Sequence, residues 1–196
     1  MFLIVGLGNP GPEYELTPHN LGFRTIDRLA ADCGVRVSRP QCRALVGLGR
    51  VEGREVALAK PLSFMNASGG PVKALLEKYE LGLTGLVVVC DELNLPLGSL
   101  RIRQRGSAGG HHGMESILAA VGSQEFVRVR LGVGPDRPVE DTAEYLLEPF
   151  RRSRQKDVEE LVGQGAGAVR SILAEGAAKA MTRWNRRAGG QTTEEK

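Results

Sequence analysis

Of the three histidines in this 196-residue chain, His19 stands alone near the N-terminus, between Pro18 and Asn20. An imidazole with an ordinary pKa of ~6.5 can take a proton from water at neutral pH. A carboxylate on its second nitrogen would fix the tautomer and stabilise the imidazolium. Asp91 is placed for that task. It directly follows the continuous apolar run Leu86–Cys90, at the C-terminal end of a predicted buried strand, where site residues gather. Asn9, in a glycine-rich turn after the first apolar run, carries a donor and an acceptor that could polarise a carbonyl. By residue type alone, plainer readings stay open: a structural histidine, a turn-capping aspartate, an ordinary turn asparagine. No GxSxG elbow occurs, and no serine or cysteine sits in a recognisable nucleophile setting, so water is the simpler attacking group.

The turn itself, Gly6-Leu7-Gly8-Asn9-Pro10-Gly11, satisfies GxGxxG directly after a strand. A dinucleotide-binding loop would run straight into a helix whose first amides hold the pyrophosphate. Here Pro10 and Pro12 remove two amide donors, and the helical pattern begins only near Phe23. Cofactor binding is the weaker reading.

The elements that must position these residues alternate. Met1–Val5 and Leu86–Cys90 read as strands buried on both faces. Phe23, Ile26, Leu29, Ala30 and Cys33 recur at helical spacing and stop at Gly34. Ala44–Leu48 and Val56–Lys60 flank Glu52-Gly53-Arg54 as a hairpin. Ser68-Gly69-Gly70-Pro71 opens a helix carrying Val72, Leu75, Leu76 and Tyr79. Leu100–Arg105 and Val127–Val133 alternate as strands, with a helix bearing Met114, Ile117, Leu118 and Val121 between them. A long amphipathic helix is predicted from Arg151 to about Glu175, then a short one with Ala180, Met181 and Trp184. The reading is a single α/β domain over residues 1–185. Its sheet is mixed and partly parallel, flanked by helices, with a C-terminal helical segment and a flexible tail at 186–196.

Composition fits that reading. With 41% hydrophobic and 25% charged residues, the chain resembles an ordinary globular domain. Its apolar start is too short and lacks the basic flank of a signal peptide, and no run approaches the ~20 residues of a membrane span. Cys33, Cys42 and Cys90 show no CxxC or Cys/His pairing, so reduced thiols in a cytoplasmic protein are expected, and no structural zinc site. The net charge is only +3, but the positive side comprises 20 Arg against 6 Lys. Arg101, Arg103 and Arg105 share one face of their strand, as do Arg128 and Arg130 of theirs. Neighbouring faces of one sign repel unless an anion lies between them, and a nucleic-acid backbone is such an anion. The alternative is a pair of solvated strand faces.

The segment Gly6–Phe23, GLGNPGPEYELTPHNLGF, strongly resembles the N-terminal motif of bacterial-type peptidyl-tRNA hydrolases. Lys60–Gly69 (KPLSFMNASG), Asp91–Gly98 (DELNLPLG), Gly106–Gly113 (GSAGGHHG), Arg128–Gly134 (RVRLGVG) and Ala180–Asn185 (AMTRWN) are similar to further family blocks, in the same order. The resemblance spans nearly the whole chain. It implies one α/β domain that hydrolyses the ester between a peptide and the 3′ end of a tRNA, without metal or cofactor, as a cytoplasmic monomer. It also implies His19 as catalytic base, Asp91 as its orienting carboxylate, and Asn9, Tyr14, Phe64 and Asn66 as contacts to the substrate. Arg103 and Arg130 fall where the family meets tRNA phosphates.

One position departs from the family. His112 stands where most members have an asparagine that helps hold substrate and a water. A neutral imidazole gives one hydrogen bond and accepts one, so it could imitate an amide in part; the alternative is a ring pointing into solvent. Two other functions compete with hydrolysis: a non-catalytic RNA-binding relative of the splicing-factor kind, and the nucleotide-dependent oxidoreductase suggested by the glycine turn.

Overall fold

The computed structural model describes residues 1–185; the expected tail at 186–196 lies outside them. Strands β1 (Phe2–Gly6), β4 (Arg54–Pro61), β5 (Leu86–Pro96) and β7 (Val127–Gly134) form a parallel centre. Strands β2 (Arg39–Gln41) and β3 (Ala44–Val51) extend one side antiparallel, and β6 (Leu100–Arg103) closes the other. The order β2-β3-β4-β1-β5-β7-β6 makes the mixed, partly parallel sheet that the strand pattern implied. The β3–β4 hairpin turns through Glu52 and Gly53, both at positive φ (50° and 74°), the two-residue geometry that matches strand twist.

Period-two alternation distributes the core between two layers of helices. Ile4, Val56, Leu58, Val87, Val89 and Val129 face α1 (Leu21–Cys33), α5 (Gln155–Glu175) and α6 (Ala177–Asn185). Leu3, Val5, Ala57, Val88 and Cys90 face α2 (Gly69–Lys78) and α3 (His112–Val121). Central β1 and β5 are covered on both sides, which is why both read as continuous apolar runs. Cys33, Cys42 and Cys90 are all unpaired. Among the described residues, no helix is long and apolar enough to cross a membrane.

Several expected boundaries move. Strand β5 continues through Asp91 to Pro96, so Asp91 lies within the strand. Its pairing with β1 ends at Gly6↔Val89, which leaves Asp91 at an open crevice nonetheless. Strand β6 stops at Arg103, with Arg105 beyond it. The long C-terminal helix starts at Gln155, after a single tight turn over Arg152–Arg154. Ser68 precedes α2, but its hydroxyl donates to the Met65 carbonyl instead of capping the helix. A short helix α4 (Thr142–Leu147) was not anticipated.

Chain direction sets the crevice. After β1 the chain passes to the α1 layer; after β5 it runs by way of β6 to the α3 layer. Adjacent parallel strands whose connections diverge leave a cleft at their C-terminal ends. The helix α1 begins hard against that edge: a Cβ on Gly22 would lie 2.3 Å from the Leu7 nitrogen and 2.5 Å from the Val89 oxygen. These neighbours are backbone and cannot give way. Gly22→Ala should therefore lift the start of α1, destabilise the fold by about 1–3 kcal/mol and displace His19 three residues upstream. Denaturant unfolding with parallel turnover measurements reads both effects, and an unchanged unfolding midpoint would refute the close-packing account.

Candidate active site

His19 comes from a tight turn, Pro18–Asn20, just ahead of α1, and Asp91 from β5. Although 72 residues apart, they meet: His19 Nδ1 lies 2.8 Å from Asp91 Oδ2. Both are buried, at 7% and 2% exposure. A carboxylate can only accept here, so Nδ1 carries the proton and Nε2 keeps its lone pair.

Asp91 has a second ring on its other oxygen. His111 Nε2 lies 2.9 Å from Oδ1, and its Nδ1, while the ring is neutral, accepts from the Met114 N–H at 3.2 Å, capping α3. The two rings stand 4.9 Å apart, centroid to centroid. Burial alone would raise the Asp91 pKa. The charge of His111 and the hydrogen bonds of both rings outweigh it, holding the carboxyl well below the usual carboxylate range. Burial likewise disfavours the charged form of His111, but the Asp91 carboxylate prevails and moves its pKa upward. Asp91 is thus ionised at neutral pH.

Asn9 is fixed from two sides. Its N–H donates to Asn20 Oδ1 (2.8 Å), and Asn20 Nδ2 donates back to its carbonyl (2.9 Å). The Met65 N–H then donates to Asn9 Oδ1 at 2.8 Å. With that oxygen committed, the amide presents its NH2 to the cleft.

The cleft encloses about 490 Å³. Asn9, His19, Asp91, Asn66, Phe64, His111 and His112 line it, and α4 supplies an opposing wall through Leu146 and Leu147. Phe64 is 61% exposed, a large apolar ring at a polar site. Among the described residues, no serine or cysteine lines the cleft. His112 opens α3 with its ring largely in solvent, 3.3 Å from Glu115. Tyr14 is not brought into the cleft; its carbonyl receives the Thr17 hydroxyl in the preceding turn. His19, Asp91 and His111 are the cluster among the described residues close enough to share a metal ion, their donor atoms lying within 4.8 Å of one another. Both Asp91 oxygens already accept from the rings, so an ion would have to displace two hydrogen bonds.

The arginine faces resolve differently from expectation. Strands β6 and β7 do pair, with Arg101 opposite Arg130 and Arg103 opposite Arg128. Arg128, however, is fully buried and cannot touch RNA. It stacks over Phe126 and donates to the carbonyls of Gly106 and Gln124, each at 2.7 Å. Arg130 donates to the Ser107 carbonyl (2.9 Å) and pairs with Glu92 at 3.4 Å. Arg103 is exposed and Arg101 half-exposed, and no described residue forms a hydrogen bond or ion pair with either side chain. Neither Arg103 nor Arg130 lines the cleft.

Sequence reasoning missed His111, Asn20 and α4. For α4 a signal existed, since Asp141 followed by Glu144 is a helix-start spacing, and Asp141 Oδ1 does accept from the Ala143 and Glu144 N–H groups.

A buried carboxylate-bound histidine at the strand ends of a parallel sheet, with polar amides beside it, marks a single-domain α/β enzyme built for hydrolysis. The chain belongs to the peptidyl-tRNA hydrolase family, whose model matches residues 3–193. It is 52% identical over 195 residues to the peptidyl-tRNA hydrolase of Solibacter usitatus, covering 100% of both chains. It is 47% identical to that of Koribacter versatilis, covering 95% of this chain and 94% of the relative. The crystal structure of peptidyl-tRNA hydrolase from Acinetobacter baumannii superposes with a TM-score of 0.87 at 30% identity, over 94% of each chain.

The histidine–aspartate–histidine group also makes stability depend on pH. His111 binds its proton more tightly folded than unfolded. Its contribution is complete below its ordinary value of 6.5 and disappears as pH rises through the higher folded value. Asp91 behaves oppositely: its contribution is complete above its ordinary 3.8 and is lost as pH falls through the lower folded value. Denaturant unfolding between pH 6 and 9 should show a decline in stability that His111→Gln flattens. Parallel pH profiles for the two proteins would contradict the assignment.

Proposed function

We propose that the chain hydrolyses peptidyl-tRNA by direct attack of water, with His19 as general base. The observation that carries this reading is the Nδ1–Asp91 bond, which leaves His19 Nε2 as the proton acceptor in the cleft. Nε2 takes a proton as water oxygen bonds to the ester carbonyl carbon. The Asn9 NH2, oriented by Met65, donates to the oxyanion that forms, and Asn66 contacts the same reacting end. The intermediate collapses with breakage of the bond to the ribose 3′ oxygen, which recovers the proton from the His19 imidazolium. The products are tRNA ending in a free 3′ hydroxyl and a peptide carboxylic acid, which loses the second water proton to solvent and leaves as the carboxylate. Asp91 stays ionised throughout, and His111 on its other oxygen keeps the carboxylate from rotating away. The apolar wall of Phe64, Leu146 and Leu147 suits a peptide side chain of varied sequence. No step in this scheme calls on a metal or cofactor. The enzyme acts as a monomer in the cytoplasm, a setting that suits its unpaired thiols.

The tRNA body lies along β6 in this reading. Of the four arginines that β6 and β7 set opposite one another, Arg101 and Arg103 have no hydrogen-bond or ion-pair partner among the described residues, and Arg130 stands at the boundary with the cleft. His112, at the mouth, replaces the family's asparagine as a substrate contact.

Purified protein should release tRNA from N-blocked aminoacyl-tRNA, and His19→Ala should slow turnover by at least ~100-fold while tRNA still binds. Asp91→Asn should slow it too, because an amide can hold the wrong imidazole tautomer. A folded His19→Ala enzyme with near-normal turnover would remove the base from the scheme. For His112, replacement by Asn should preserve most activity, whereas Ala should mainly raise KM. If His112→Ala instead erases the pH dependence of kcat and His19→Ala does not, the base has been assigned to the wrong histidine.

A further inference from the structure

The closing motif Ala180–Asn185 has no part in the cleft, yet it is built with care. Ala180 is fully buried, and Trp184 Nε1 donates to Ser171 Oγ of α5 at 2.9 Å. The indole packs so closely on α5 that a Cβ at Gly167 would come within 2.9 Å of it. This anchoring delivers the last described residue, Asn185, to the free edge of β6.

There Asn185 Oδ1 accepts from the Ile102 N–H at 2.8 Å, and its Nδ2 donates to the Ile102 carbonyl at 3.1 Å. A neighbouring antiparallel strand would exchange the same two bonds with one residue. The side-chain amide thus stands in for an eighth strand at a single position. Strand β6 has reason to need it. It is four residues long, and its ladder with β7 sets Arg101 against Arg130 and Arg103 against Arg128, like charges directly opposite. Ile102, the clamped residue, lies between Arg101 and Arg103.

We infer that Asn185 is a positioning residue for tRNA, locking β6 from its open side so that Arg101 and Arg103 are held in register for phosphates. The inference rests on the reading of these two arginines as phosphate contacts. Asn185 acts through the Ile102 main chain and touches neither the cleft nor the ester.

The test uses the full-length chain and deacylated tRNA, with affinity measured across a salt series, beside turnover of N-blocked aminoacyl-tRNA. Asn185→Ala should weaken tRNA binding about three- to tenfold near 0.15 M salt and flatten the log–log salt slope by up to about one unit per loosened phosphate. Turnover at saturating substrate should stay within about twofold, and exchange of the Ile102 amide with deuterium should accelerate. In an Arg101→Ala/Arg103→Ala background the same substitution should change binding by less than about twofold, because the groups it positions are gone. If Asn185→Ala weakens binding equally in that background, or lowers saturated turnover as much as affinity, it supports only the fold and the inference fails. If the arginine pair can be removed with no change in salt slope, the tRNA path along β6 is itself wrong, whatever Asn185 does.

Discussion

A carboxylate taken out of water at the end of a buried strand must be compensated in full, because in a low-dielectric setting an unpaired charge costs several kcal/mol. Asp91 is compensated by two imidazoles, one on each oxygen. Much of the catalytic edge can be read as the means of bringing those rings there. The turn bearing His19 is fixed by the start of α1 against β1, where Gly22 permits backbone contact with Leu7 and Val89. His111 arrives by a loop whose Gly106, Gly109 and Gly110 all adopt positive φ, and is fixed as the cap of α3. Neither ring belongs to the strand that carries the carboxylate. The site therefore exists only when three separate connections are closed at once.

The same residue type serves three ends on one face of the sheet. Arg128 is covered by the Gly106–Ser107 segment and binds carbonyls, so its charge is spent on holding that loop. Burial lowers its pKa to about 10, and the neighbouring Arg130 pushes in the same direction, but it stays charged at neutral pH. Arg130, one pleat further along, bridges the same loop and Glu92. Of the arginines on the paired strands β6 and β7, those on β6, beyond the loop, have no hydrogen-bond or ion-pair partner among the described residues. Position relative to one glycine-rich loop, more than residue chemistry, separates structural cations from those open to a nucleic acid.

Asparagine amides do comparable work at two places where the main chain lacks a main-chain partner. Asn20 binds both main-chain groups of Asn9, and Asn185 binds both main-chain groups of Ile102. Each replaces a strand where no strand can reach: a turn in one case, a sheet edge in the other. The amide suits the role because it carries donor and acceptor at the spacing of a peptide group.

Much of this was determined by sequence alone. Strands covered on both faces must be continuously apolar, so Met1–Val5 and Leu86–Cys90 declared themselves as central. The hairpin followed from Glu52-Gly53, and His19 and Asp91 could be expected at strand ends that share a crevice. Tertiary structure alone decided the rest. Alternation shows that Arg128 and Arg130 share a face, but not that a loop from elsewhere in the chain covers one of them. Of the adjacent His111 and His112, the ring that turns inward is selected by glycines whose φ no local pattern reveals, and by a carboxylate twenty residues away. Local periodicity reports which side of an element is buried; what lies on that side depends on contacts between distant segments, and those form only when the chain closes on itself.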